Sequence, residues 1–278
     1  MRSFKEVIVG LLSAGYSEVN VEEKLAQDIV LKALSESGLR ANVTVKGGVV
    51  MATLTKDIRR TTMDLDIDFI HYSLADESID ALVAKMNCIE GVDITRVGDI
   101  QELRHQDYSG KRIFLSLTDQ DGYSLQYKLD IGIHTVEEAR QQDMDFDLHH
   151  IDAGFASLLA NSPEQVFVEK LKSLLRLGAL SSRGKDVYDL VYLSKLVSTE
   201  PLSKMIKAYI YDDPRMRENS IADIIHRLQR TFSDRGFIGT LANRKMNWLQ
   251  MNPTEATARL LSFIDNFQVS HDSYGDRP

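Results

Sequence analysis

Lys46-Gly47-Gly48, an eleven-residue spacer, and then Arg60-Thr61-Thr62-Met63-Asp64-Leu65-Asp66-Ile67-Asp68 is the stretch on which the fold of this 278-residue chain turns. From Asp64 the residues alternate polar and apolar, the period of a β-strand, so Asp64, Asp66 and Asp68 share one face. Asp is disfavoured in strands. Three on one face repel unless cations or solvent neutralise them. Hard divalent cations such as Mg²⁺ take oxygen ligands, commonly one or two carboxylates plus substrate phosphates. Two such metals can stabilise the attacking and leaving oxygens of an in-line displacement. Asp130, inside the apolar strand pattern Tyr127-Lys128-Leu129-Asp130-Ile131, is the candidate third carboxylate. Upstream, Gly47-Gly48 closes a short β-rich run from Ala41, and Val49 to Lys56 reads as a helix opening straight after it. Glycine lets backbone N–H groups approach phosphate oxygens, and a helix start favours anions. The bland alternative is a solvent-facing strand after a plain turn.

Outward from this segment, Phe4, Val7, Leu11 and Leu12 fall at helical spacing. Asn20 begins a second helix, with Glu23 as a variant capping box and Gly38 as its stop. Ser73 to Met86 reads as a helix. Gly91 to His134 is mostly β, with Asp119-Gln120-Asp121-Gly122 as the turn of a hairpin. After about residue 150 the pattern is helical. Ser162-Pro163-Glu164 opens a helix running to about Leu177. Further helices are expected at Lys185–Leu196, Pro201–Tyr211, Ile221–Phe232 and Pro253–Phe267, with a frayed polar tail from Ser270. The fold class is therefore α+β, with an N-terminal unit over 1–150 and a helical unit over 151–278.

The composition, 33 Lys+Arg against 41 Asp+Glu, leaves a net charge of −8 and argues against a blanket nucleic-acid binder. The longest apolar runs are too short to cross a bilayer, and the N-terminus lacks a convincing signal-peptide core. A cytoplasmic protein with no membrane partner is expected. Cys88 is the only cysteine, which excludes an intrachain disulfide and a multi-Cys zinc site. It reads as a small buried apolar residue.

Lys46-Gly47-Gly48 followed by Arg60-x-Thr62-x-Asp64-Leu65-Asp66 resembles the AbiEii/AbiGii group of nucleotidyltransferases. Glu169-Lys170-Leu171, then Arg183-Gly184-Lys185-Asp186-Val187-Tyr188-Asp189-Leu190, resembles that family's second mark, a helical Lys and a basic-Asp-x-Tyr-Asp segment. The resemblance covers about residues 40 to 195. It implies a polymerase-β-like nucleotidyltransferase core, a mixed sheet with flanking helices, ahead of the helical C-terminal region. It implies a toxin of a toxin–antitoxin or abortive-infection (phage defence) module, with a cognate antitoxin as partner. The activity it implies is Mg²⁺-dependent transfer of NMP from an NTP to RNA (a tRNA 3′ end or another RNA) or to protein. By the same resemblance Asp64, Asp66 and Asp130 hold the metals. Gly47, Gly48, Arg60 and Thr62 bind the nucleotide, Lys170 contacts the triphosphate, and Asp186 is the acid of the last motif. Val49 follows the glycine pair where many nucleotidyltransferases place Ser or Thr. That departure motivates a second reading, a catalytically weak or inactive nucleotide- or protein-binding module on the same fold.

Lys170, Lys172, Arg176, Arg183 and Lys185 lie in a stretch with no acidic residue, a solvated helix face or a phosphate site. His226, Arg227 and Arg230 are candidates for RNA contact. Arg60 can pair with Asp64 or Asp66, and Thr62 can be simply a good strand residue. Asp189 is placed to pair with Lys185 on the helix surface. Tyr188 and Tyr192 read as core packing. Asp147 with His149-His150 is a weak metal reading, because adjacent extended residues point apart.

Overall fold

The structure, a computed structural model, describes residues 2–60, 62–104, 109–133, 140–148 and 154–275. His149 and His150 lie outside the described residues. The chain divides into two compact units, Met1–Thr135 with Gln141–Asn161, and Val136–Arg140 with Ser162–Pro278.

The first unit opens with helices α1 (Phe4–Ser13) and α2 (Val21–Glu36), then strand β1 (Val43–Lys46) and helix α3 (Gly48–Thr55). Strand β2 (Leu65–Phe69) and helix α4 (Asp76–Met86) follow, then β3 (Val92–Arg104), β4 (Ser109–Asp119), β5 (Ser124–Ile133), β6 (Gln141–Leu148) and β7 (Gly154–Asn161). These strands form one seven-stranded sheet in the order β3-β4-β5-β2-β1-β7-β6. The sheet is mixed: β1/β7 and β2/β5 are parallel and the other pairs antiparallel. Alternation on β2 buries Leu65, Ile67 and Phe69 to within 1% exposure on one face, which leaves Asp66 and Asp68 on the other. Helix α2 packs on β5, β6 and β7, and α4 on β3. Burial of Leu25, Ile29, Val45, Ile113, Leu129 and Ile131 supplies the core, at roughly 25 cal/mol per Å² of apolar surface.

Several expectations change here. The capping box forms at Ser3 and Glu6 of α1, whereas Asn20 makes no side-chain cap to α2. The stretch after residue 150 is not helical at once, because β7 occupies Gly154–Asn161. Cys88 is exposed rather than buried, since α4 has ended at Met86 and the chain is turning out.

The second unit is helical: α5 (Pro163–Leu177), α6 (Lys185–Leu193), α7 (Thr199–Ile206) continuing into a π-helical turn over Lys207–Tyr211, α8 (Ile221–Phe232), α9 (Arg235–Leu241) and α10 (Pro253–Gly275). Ser162, Ser220 and Asp234 cap α5, α8 and α9 by accepting a backbone N–H three residues on. Phe167, Leu171, Tyr188, Leu190, Leu228, Leu260 and Ile264 are buried in this unit. Among the described residues no helix is long and apolar enough to cross a membrane.

Candidate active site

One row of the sheet brings together two of the sequence candidates, Asp66 and Asp130. Lys46 on β1 stands opposite Asp66 on β2. Asp66 stands opposite Asp130 on β5. Asp130 in turn stands opposite Arg112 on β4. Residues in register across a sheet share a face, so the row reads cation, carboxylate, carboxylate, cation. The neighbouring row places Thr44, Asp68 and Gly132 side by side.

The charges of this face are matched locally. Asp68 pairs with Lys46 at 2.5 Å and Asp64 with Lys128 at 2.6 Å. Arg112 grips Asp130 through both oxygens, Nε at 2.6 Å and Nη2 at 2.8 Å. The bidentate form matches the planar fork of guanidinium to carboxylate. Among the described residues Asp66 has no ion-pair partner. Burial drives its carboxyl above the usual carboxylate range, Lys46 opposes that, and Asp130, Asp64 and Asp68 push it further up. The repulsion expected from three aspartates on one face is therefore met mostly by protein cations. Gly132 is what admits the Asp68–Lys46 pair, because a Cβ there would sit 2.1 Å from Asp68 Oδ1.

The glycine pair is shaped by the same aspartate strand. Gly47 adopts φ 69° and ψ −133°, open to glycine and strained for other residues. A Cβ on Gly47 would lie 2.9 Å from Asp66 Oδ2, and one on Gly48 would lie 2.8 Å from Thr62 Cγ2. The N-terminus of α3 thus opens directly beside the Asp66 carboxylate and the Thr62 side chain. The backbone entering β2 is held from α2 and β5. Gln27 Nε2 donates to the Thr62 carbonyl at 3.0 Å, and the Tyr127 hydroxyl donates to the Met63 carbonyl at 2.7 Å. Burial pushes the Tyr127 phenol well above its ordinary range. Arg60 is 3% exposed in a short 3₁₀ turn, Ile58–Arg60. Val49 is buried and lines a cavity of about 310 Å³ that Gln27, Thr53 and Thr62 also border.

Lys170 and Asp186 belong to the second unit, and they meet there. Lys170 on α5 pairs with Asp186 at 2.6 Å and with Asp189 at 2.8 Å, both on α6. Asp189 is 0% exposed and also accepts the Trp248 indole N–H at 2.9 Å. The expectation of Asp189 on a solvated helix surface is thereby corrected; α6 turns that side inward. Tyr188 is core, donating its hydroxyl to the Leu241 carbonyl at 2.8 Å, and Tyr192 packs on Trp248. The cations of the 170–185 stretch are partly absorbed, Lys172 by Asp213 at 2.6 Å. Arg227 Nε donates to the Leu175 carbonyl, near the end of α5, while His226 and Arg230 are exposed.

Sequence reasoning missed Lys128, Arg112 and Trp248, and gave Lys46 no role. Lys128 was findable, two residues before Asp130 and so on its face of β5. Arg112 follows from the hairpin: Thr118 opposite Ser124 fixes the register, and six residues along each strand bring Arg112 to Asp130. Trp248 lies 59 residues from Asp189 with no motif to connect them.

The donor set suits a hard divalent cation: carboxylate oxygens side by side, with the Asp66 carboxyl raised by burial. Asp64 and Asp130 are turned onto Lys128 and Arg112, and among the described residues no three His, Cys, Asp or Glu side chains converge as metal ligands do. As oxygen donors these residues would suit Mg²⁺ in kind, and Asp64 and Asp130 are paired with Lys128 and Arg112.

The first unit is an α+β fold whose mixed sheet sets an Asp-x-Asp strand beside a glycine turn and a helix start. A family model described as "Nucleotidyl transferase AbiEii toxin, Type IV TA system" matches residues 29–258. The chain belongs to that family. It also aligns with the crystal structure of an antigenic nucleotidyltransferase-like protein from Paracoccidioides brasiliensis, at 14% identity and a TM-score of 0.43, over 78% of this chain and 92% of that one. No curated protein gives a significant match.

Proposed function

We propose that this chain transfers a nucleoside monophosphate from an NTP to an RNA acceptor, a tRNA 3′ end being one candidate, and so acts as the toxin of its toxin–antitoxin pair. The observation that carries the reading is the Asp66–Asp130 register pair beside the Gly47–Gly48 turn. The N–H groups at the start of α3 hold phosphate oxygens. Asp64, Asp66 and Asp130 hold Mg²⁺, which supplies charge neutralisation at the α-phosphate when bound. The acceptor hydroxyl oxygen bonds to the α-phosphorus, the bond to the β-phosphate oxygen breaks, and pyrophosphate leaves. Asp130 accepts the proton that the hydroxyl releases. The reaction is confined to the cytoplasm, where NTPs and RNA are found, and a cognate antitoxin limits it.

Lys170 takes a different role from the one its motif implies. Its two ion pairs to α6 favour holding α5 and α6 together over a contact with triphosphate.

Incubating the protein with Mg²⁺, each of four α-labelled NTPs and total RNA tests the proposal. Label entering RNA supports it; Asp66→Ala should abolish that label and any growth inhibition. One observation favours the second reading, a nucleotide-binding module without transfer: three of the four aspartates are already neutralised by Lys46, Lys128 and Arg112. Saturable NTP binding with no label in RNA or protein would establish that module instead.

A further inference from the structure

Arg112 lies outside the motifs, yet it makes a two-pronged contact on the aspartate face. Its guanidinium binds both oxygens of Asp130, and the pair is mostly buried, 29% and 18% exposed for the two side chains. It also feels Asp64 and Asp66. One fixed cation therefore faces all three carboxylates proposed to hold metal. The lone pairs that Arg112 occupies on both Asp130 oxygens are closed to a divalent cation until the guanidinium moves. Once the carboxylate is given up, a bidentate guanidinium beside the site is left without its partner. The planar fork that fits carboxylate fits a phosphate equally well.

We propose that Arg112 is a counter-ion switch: it holds Asp130 while the site lacks metal, and transfers to a phosphate of the incoming nucleoside triphosphate when a divalent cation takes the carboxylate. Arg112 is then a substrate-positioning residue, and metal and nucleotide bind cooperatively because each supplies what the other displaces. Lys128, which pairs with Asp64 from the same face of β5, repeats the arrangement with a single point charge. The inference rests on the reading of Asp64, Asp66 and Asp130 as metal ligands.

The test is Mn²⁺ binding followed by electron paramagnetic resonance, with and without a non-hydrolysable NTP, on wild type, Arg112→Gln and Arg112→Lys. Without nucleotide, Arg112→Gln should bind Mn²⁺ up to about fivefold more tightly, the change expected for removing one competing, partly exposed ion pair. With Mn²⁺ saturating, the same variant should bind the NTP analogue about tenfold more weakly, and Arg112→Lys should recover part of that affinity. Far-ultraviolet circular dichroism checks each variant's fold, and Arg112→Lys keeps the test open if Arg112→Gln does not fold. Unchanged or weaker Mn²⁺ binding by folded Arg112→Gln, or by Arg112→Lys in its place, would overturn the switch while leaving the metal site standing. A wild type that binds no Mn²⁺ would overturn the metal site itself. Nucleotide affinity unchanged in either variant would overturn the transfer to phosphate.

Discussion

Asp66 and Asp130 stand opposite each other on the parallel neighbours β2 and β5, with Lys46 and Arg112 closing the row on either side. Two carboxylates at adjacent register positions repel, and here that repulsion adds to burial in raising the Asp66 carboxyl. The site stores unfavourable charge that a divalent cation would relieve.

The sign of the pH effect follows. A carboxyl whose folded-state pKa lies above its unfolded value binds more protons in the folded state. Stability then falls as pH rises from the ordinary carboxylate value through the raised one. Asp66→Asn removes that loss. Thermal unfolding in chelator should give Asp66→Asn a melting temperature a few degrees above wild type at pH 7. The gap should close below about pH 4, where the unfolded carboxyl is also protonated. A variant less stable than wild type at pH 7 would show that the Asp66 charge is stabilised rather than strained.

Gly48 should tolerate no side chain while Thr62 is present. Gly48→Ala places a Cβ 2.8 Å from Thr62 Cγ2 and should cost roughly 1–3 kcal/mol. Thr62→Ala removes two of the three nearest atoms and should recover part of that loss in the double variant. Chemical denaturation of the four proteins measures the coupling. Additive effects would mean that the two residues do not touch.

Lys170 is expected to matter for stability. Lys170→Met removes one cation from the buried Asp189, a change of about 3–5 kcal/mol for a broken buried pair. Trp248→Phe, which loses only the indole donor to Asp189, should cost about 1–3 kcal/mol. Denaturant midpoints within error of wild type for Lys170→Met would instead favour the triphosphate contact that its motif implies.

Local signals carried much of this fold. The glycine turn, the strand after it, the Asp119–Gly122 hairpin and the Ser162-Pro163 helix start all formed where turn chemistry and periodicity put them. The failures were non-local. In β6, Asp143, Asp145 and Asp147 alternate with Met144, Phe146 and Leu148, but acidic residues weigh against strand propensity, and only pairing with β7 settles the matter. The carboxylates of the site were legible because they sit in a short alternating run. Their counter-ions were not, because Arg112 reaches Asp130 only through β4–β5 register, and Lys170 reaches Asp189 only through helix packing.

The most direct measurement compares single-turnover incorporation of α-labelled nucleotide into RNA by wild type and by Asp66→Asn, a variant expected to be folded and more stable than wild type without metal. Wild type should label RNA in the presence of Mg²⁺, and Asp66→Asn should be slower by about 10²- to 10³-fold, the scale on which loss of one charge-stabilising group acts. Equal rates for the two proteins would contradict the assignment of this aspartate face as the centre of nucleotidyl transfer.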